Sequence, residues 1–266
     1  MKAFVMTDLE GVAGVVSFGD QSTPDTRYGE QARRLLTAEV NSCVEGLLES
    51  GAEDVLVLDG HGAGGIVFED IHPSVKLIHG LPMSPEWPGL LEGIDIALFV
   101  GQHAMAGTPR GNLNHTQDSQ RITSYTLNGR LIGEIAQFSL LAGSYGVPIV
   151  FLSGDEAACR EVDDLVPRVT TIAVKQGLGR NSAVSLSAQK AREMIRAGVK
   201  QALARHRADP ILPLVWQGPY VLEKKFFTTE HLEQYRFRST VDFSIEMIDS
   251  LTVRIRSDNI RAIIND

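Results

Sequence analysis

Asp8 and Glu10 stand two residues apart in Thr7-Asp8-Leu9-Glu10-Gly11, directly after the apolar run Phe4-Val5-Met6. In extended or gently turning backbone, side chains two apart project to the same side, so both carboxylates can aim at one point. Carboxylates sharing a site repel, and one takes up a proton unless a positive charge stands between them. A divalent metal is the usual remedy. Further donors follow: His61 in Asp59-Gly60-His61-Gly62, His103 in Gly101-Gln102-His103, and Glu134 at the head of an apolar helical stretch. Mixed carboxylate and imidazole donors suit zinc, with manganese, cobalt or iron as alternatives. These five donors exceed the needs of one tetrahedral zinc. Two divalent ions per chain are therefore expected, with one carboxylate bridging.

Each residue also has a plainer explanation. Asp8 alone could cap a turn, Glu10 could be a surface charge, and His61 could serve loop backbone groups. Glu134 would be a favourable charge on a helix dipole, and His115 a solvated loop residue. Asp155 is first a helix cap and only second a pocket residue. His72 sits in a turn, His79 at a strand end without a carboxylate partner, His206 at a solvated basic helix end and His231 in a charged stretch, so none is expected to be a ligand. The order G-x-G-x-x-G is missing from residues 60–65, so no dinucleotide fingerprint is present. No G-x-S-x-G elbow supports a serine hydrolase.

The elements that must position the donors alternate. Apolar strands are expected at residues 2–6, 55–58, 75–78, 94–100, 147–152 and 169–174. Ala32, Leu36, Val40, Cys43, Val44 and Leu47 recur at helical spacing, and further helices are expected over 134–144, from Asp155, and over 187–207. Residues 121–127 and 130–132 around Asn128-Gly129 read as a hairpin with a type I′ turn. This alternation predicts an α/β fold, a largely parallel sheet with helices on both faces. Such sheets bind ligands beyond the carboxyl ends of their strands, where three strands deliver Asp8, Glu10, His61 and His103. After Asp209-Pro210 the texture changes to short β-like pieces at 212–216, 220–227, 240–243 and 251–255. The expected organisation is a metal-binding catalytic domain over 1–210 and a small α+β C-terminal domain over 211–266.

The 266 residues carry a formal net charge of -8, with no Lys/Arg cluster, which argues against a nucleic-acid-binding surface. No apolar run approaches the roughly 18 residues of a membrane span. Met1-Lys2 leads into a predicted strand without signal-peptide regions, and Cys43 and Cys159 sit in apolar helical contexts as free thiols. A cytoplasmic protein is expected, acting without nucleic acid or membrane.

In this order and at these separations, Asp8-Leu9-Glu10-Gly11-Val12-Ala13-Gly14, Asp59-Gly60-His61, Gly101-Gln102-His103-Ala104, Asn114-His115-Thr116, Gly133-Glu134 and Ala173-Val174-Lys175-Gln176 form a specific set. The chain resembles the zinc-dependent D-aminopeptidase family, whose founding members are encoded with dipeptide-transport systems. The resemblance runs from Met1 to about residue 205 and more loosely to the end. It implies a dinuclear zinc site in which Asp8 bridges both ions, Glu10, His61, His103 and Glu134 complete the shells, and His115 is catalytic. It also implies a ring-like homo-oligomer, a decamer, with active sites facing an internal chamber. The function expected is release of the N-terminal residue from short peptides or amino-acid amides, D-configured ones included, by a metal-activated water with His115 assisting. Another dinuclear-metal amidohydrolase or phosphoesterase, and a non-catalytic metal- or peptide-binding protein, are the alternatives.

Overall fold

Continuous apolar runs that need burial on both faces set the architecture. The computed structural model describes residues 1–81, 83–233 and 242–264. Its central sheet has seven strands: β1 (Lys2–Thr7), β2 (Asp54–Asp59), β3 (Val75–Ile78), β4 (Ile96–Gln102), and, further along the chain, β7 (Ile149–Asp155), β8 (Thr170–Gly179) and β9 (Ser182–Ser185). Their order is β3-β2-β1-β4-β7-β8-β9, parallel throughout except for β9. Every residue of β4 and β7 is buried.

Between these strands come α1 (Phe18–Gln21), α2 (Gly29–Glu49), the hairpin β5 (Ile122–Leu127) and β6 (Arg130–Ile132), α3 (Glu134–Ser144) and α4 (Glu156–Leu165), and α5 (Ala188–Ala208) follows β9. Strand order departs from β1 in two directions, through α2 to β2 on one side and through β4 to β7 on the other. Because parallel crossovers are right-handed, opposite directions place α2 on one face and α3 with α4 on the other. Helix α5 packs along α2. The α/β class expected from the alternating pattern is the class observed.

A second, antiparallel sheet runs β11-β12-β10-β5-β6, with β10 at Tyr220–Phe226, β11 at Ser244–Met247 and β12 at Thr252–Ser257. Helix α6 (Thr229–Glu233) follows β10. Strand β10 pairs with β5, Leu222 opposite Leu127, so the C-terminal strands are built onto the hairpin. The hairpin turn has Asn128 and Gly129 at φ 51° and 78°, as a type I′ turn requires. The expected strand at 212–216 does not form. Pro210 and Pro213 lack the N–H a ladder needs, and this segment instead runs across α3, the carbonyl of Leu214 lying against Gly143. Of the strand expected at 240–243, residues 240 and 241 lie outside the described residues. Strand β9 and helix α1 were not foreseen.

Candidate metal centre

Register brings the donors level. Thr7 is paired with Asp59 of β2 and with Val100 of β4, so three neighbouring strands end together. The sheet order reverses between β1 and β4, the switch point where open α/β sheets leave a crevice. Two glycines make the close crossing of these strand ends possible. Gly101 has φ +78°, and a Cβ there would lie 2.0 Å from the Asp8 carbonyl oxygen. A Cβ on Gly11 would lie 2.0 Å from that of Gln102.

All six sequence-predicted residues meet in this crevice. His61 Nδ1 lies 3.4 Å from Asp8 Oδ1 and 3.1 Å from Glu10 Oε2. His103 Nε2 lies 3.0 Å from Asp8 Oδ2 and 3.5 Å from Glu134 Oε1. Asp8 thus turns one oxygen toward a Glu10–His61 pair and the other toward a His103–Glu134 pair. His115 Nε2 is 3.9 Å from Glu134 Oε1, and its ring stacks on His103 with centroids 4.0 Å apart.

Backbone carbonyls fix the imidazole tautomers. His61 Nε2 is 2.6 Å from the Ser22 oxygen, His103 Nδ1 2.9 Å from that of Ala104, and His115 Nδ1 2.9 Å from that of Leu113. A carbonyl only accepts, so each of these nitrogens carries the hydrogen. The opposite nitrogen of each neutral ring then presents a lone pair to the crevice, the arrangement typical of metal-binding histidines.

The loops are held as firmly as the donors. Asp59 accepts the backbone N–H groups of Gly65 and Ile66, shaping the loop that carries His61. The loop after β1 rests on Lys175, a buried ammonium that donates to the carbonyls of Glu10 and Val15 and to Asn112 Oδ1. Burial draws the Lys175 pKa down to about 8. Ala13 N–H donates to Glu39, also buried. Asp155 caps α4 by accepting from Ala157 N–H, accepts with its other oxygen from Asn112 N–H, and is buried away from the cleft. Lys175 was quoted in the sequence only as part of a motif. A lysine inside an apolar strand context was the available signal for its structural role. His115 rides on a loop with Leu113 and Gln117 at positive φ, strain of the kind that gathers at functional sites.

The electrostatics call for a cation. Burial alone would raise the Asp8 pKa, but the His103 and His61 imidazoles outweigh it and hold the carboxyl well below its usual range. Burial likewise opposes protonation of His61, yet Glu10 and Asp8 push it up to about 11. His103 is raised by Asp8 and Glu134 in the same way. Glu10 Oε2 and His103 Nε2 are buried without a hydrogen-bond partner, although charged or ring atoms stand within 3.1 Å of each. Short approaches without hydrogen-bond geometry are what donors make around a shared cation. A divalent metal such as zinc would take the place of those protons on His61 and His103, meeting carboxylate oxygens and imidazole lone pairs in these positions.

The comparisons with known proteins converge on one family, whose model, described as D-aminopeptidase, matches residues 1–265. The chain belongs to the D-aminopeptidase family. A D-aminopeptidase of Bacillus subtilis is 34% identical over 235 residues, 85% of this chain and 81% of that protein. The solved structure of the Zn-dependent D-aminopeptidase DppA from Bacillus subtilis, described as a self-compartmentalizing protease, covers 100% of this chain and 94% of its own. Its TM-score is 0.86 at 30% identity. In this D-aminopeptidase family member the crevice opens into a cavity of about 590 Å3 lined by Asp8, Glu10, His61, His115 and Glu134 among others. Among the described residues, no helix is long and apolar enough to cross a membrane.

Proposed function

We propose that this chain is a zinc-dependent, dinuclear metallo-aminopeptidase that removes the N-terminal residue from short peptides or amino-acid amides, D-configured ones included. The observation that carries the reading is Asp8, whose two oxygens face two separate donor pairs. Glu10 and His61 would hold one ion and His103 and Glu134 the other, with Asp8 shared. Bound divalent ions would supply a water acidified to a pKa of about 7 and Lewis acidity toward the scissile carbonyl.

The remaining work falls to the chain itself. His115 borders the cavity, and Leu113 holds its Nδ1–H so that Nε2 is the free atom. That nitrogen can take the proton released during attack and return it to the departing amine, the general acid/base role. Gln117 N–H donates to Glu134 Oε1 at 2.6 Å, and Gln117 Nε2 donates to Gln137 Oε1, tying the His115 loop to α3. Asp155, which the sequence offered second as a pocket residue, is buried and does not border the cavity, which leaves the substrate amine to Glu134 or the ions.

Assembly into a closed ring, a decamer by resemblance, is part of the same reading. Exposed apolar side chains at Leu131, Leu178, Val184, Leu212 and Val215 support burial between subunits.

An aminopeptidase must read a free α-amine. Acetylation removes the amine's charge and lone pair while leaving the scissile bond intact. A free-amine dipeptide or amide should be hydrolysed, and its N-acetyl derivative should not. Equal rates on the two would make the protein a general amidohydrolase.

A further inference from the structure

The wall below the metal centre is apolar, and nothing in the chemistry described so far uses it. Met6 lies two residues before Asp8 and on the same side of β1. Register sets Leu58 of β2 and Phe99 of β4 level with Met6, so the three form one row across adjacent strands. All three line the cavity that holds the metal donors. Helix α3 faces them: Glu134 stands at the donor level, and Phe138, one turn further in, packs on Phe99 with ring centroids 5.2 Å apart. Trp87 completes the wall beside Phe138, at 6.5 Å and 23°. Phe4, two residues deeper on β1, stacks on Phe138 and meets Trp87 at a tilt, with centroids 5.6 and 6.2 Å apart, and closes the floor. Outside this wall the lining carries the polar side chains Ser22, Thr23, Gln117, Ser119 and Gln120 beside the apolar Phe18, Leu81 and Met83.

From this division we infer that the row Leu58–Met6–Phe99, with Phe138 and Trp87, is the subsite for the side chain of the substrate's N-terminal residue, and that it takes large apolar side chains of the leucine or phenylalanine class. The inference rests on the metallo-aminopeptidase reading. The residue that bears the amine has no chain before it, so its pocket can be closed. The leaving portion must extend outward instead, along the polar lining. The apolar wall lies inward of the donors along the strands, the closed direction. A cavity of about 590 Å3 falls within the roughly 300–1,000 Å3 of small-molecule sites. One methylene in an apolar pocket is worth roughly 10–200-fold in specificity, so leucine should lead alanine by at least tenfold.

The test uses the metal-loaded protein in two ways. Hydrolysis of alanyl, leucyl, phenylalanyl and lysyl amides, in both configurations, should give kcat/KM at least roughly tenfold higher for leucyl and phenylalanyl than for alanyl in the preferred configuration, with lysyl lowest. Calorimetric titration with the free amino acids reads the pocket independently of turnover, and leucine and phenylalanine should bind at least tenfold tighter than alanine. Trp87→Ala should narrow both ratios, and the wild-type titration decides the matter should that variant not fold. Cleavage of all the amides with alanine equal or preferred would overturn the subsite and leave the aminopeptidase reading intact. No cleavage of any amide would remove the aminopeptidase reading, while tighter binding of leucine and phenylalanine would still uphold the apolar pocket and equal binding would overturn it.

Discussion

The rings of His103 and His115 stack with centroids 4.0 Å apart and planes 16° from parallel, but only the His103 free nitrogen reaches Asp8, at 3.0 Å. His115 Nε2 instead lies 3.9 Å from Glu134 Oε1. Two adjacent imidazoles therefore hold different positions relative to Asp8, although His115, His103 and Glu134 also bring ligand atoms within 4.8 Å of one another; the proposed division of roles makes His103 a ligand and His115 the acid/base. His103→Ala should lose metal and activity together. His115→Ala should keep metal near the wild-type content while hydrolysis falls by roughly a hundredfold or more, the scale of lost acid/base assistance. Equal loss of metal in the two variants, read by elemental analysis, would make His115 a ligand.

Glu39 gives a pH dependence of stability. Burial raises its pKa from the ordinary 4.5 to about 8, against the Ala13 N–H and Lys175, which favour the charged form. At acid pH the carboxyl is neutral whether the chain is folded or not. As pH rises from 4.5 toward 8 the unfolded chain gives up the proton and the folded chain keeps it, so stability declines across that window. Glu39→Gln retains an oxygen that can accept from Ala13 and does not titrate. Its stability, measured by denaturant unfolding at pH 5, 6.5 and 8, should fall less over this range than that of the wild type. Parallel curves would show that Glu39 does not titrate as its burial demands.

Assembly is read by light scattering. A chain of 29.0 kDa in a closed ring should scatter at several times its own mass and resist dilution, since ring oligomers follow point-group symmetry. A monomer at working concentration would remove the ring and leave the metal centre in place, because every donor comes from one chain.

Much of this architecture was legible because the parallel strands are long apolar runs that only a doubly covered sheet can bury. The candidate site followed from the same runs: once β1, β2 and β4 are neighbours, whatever follows Thr7, Leu58 and Gln102 must gather at one edge. Less legible was anything decided by pairing at a distance. No periodicity in residues 122–132 tells that the hairpin leaves the parallel sheet and pairs with β10, Leu127 opposite Leu222. Likewise, the role of Lys175 depends on three acceptors from two separate loops, Glu10, Val15 and Asn112, a convergence that exists only in the folded chain. The strand expected at 212–216 failed for a local reason that was visible, its prolines, which outweighed its apolar residues.

The central claim is that Asp8 serves two ions at once. It is tested by elemental analysis of protein loaded with zinc and freed of excess, wild type beside Asp8→Ala. The account predicts close to two zinc ions per chain in the wild type, removal of activity and lowering of Tm by a chelator, and loss of both ions in Asp8→Ala. A single ion per chain, or an Asp8→Ala variant that keeps its metal, would contradict it.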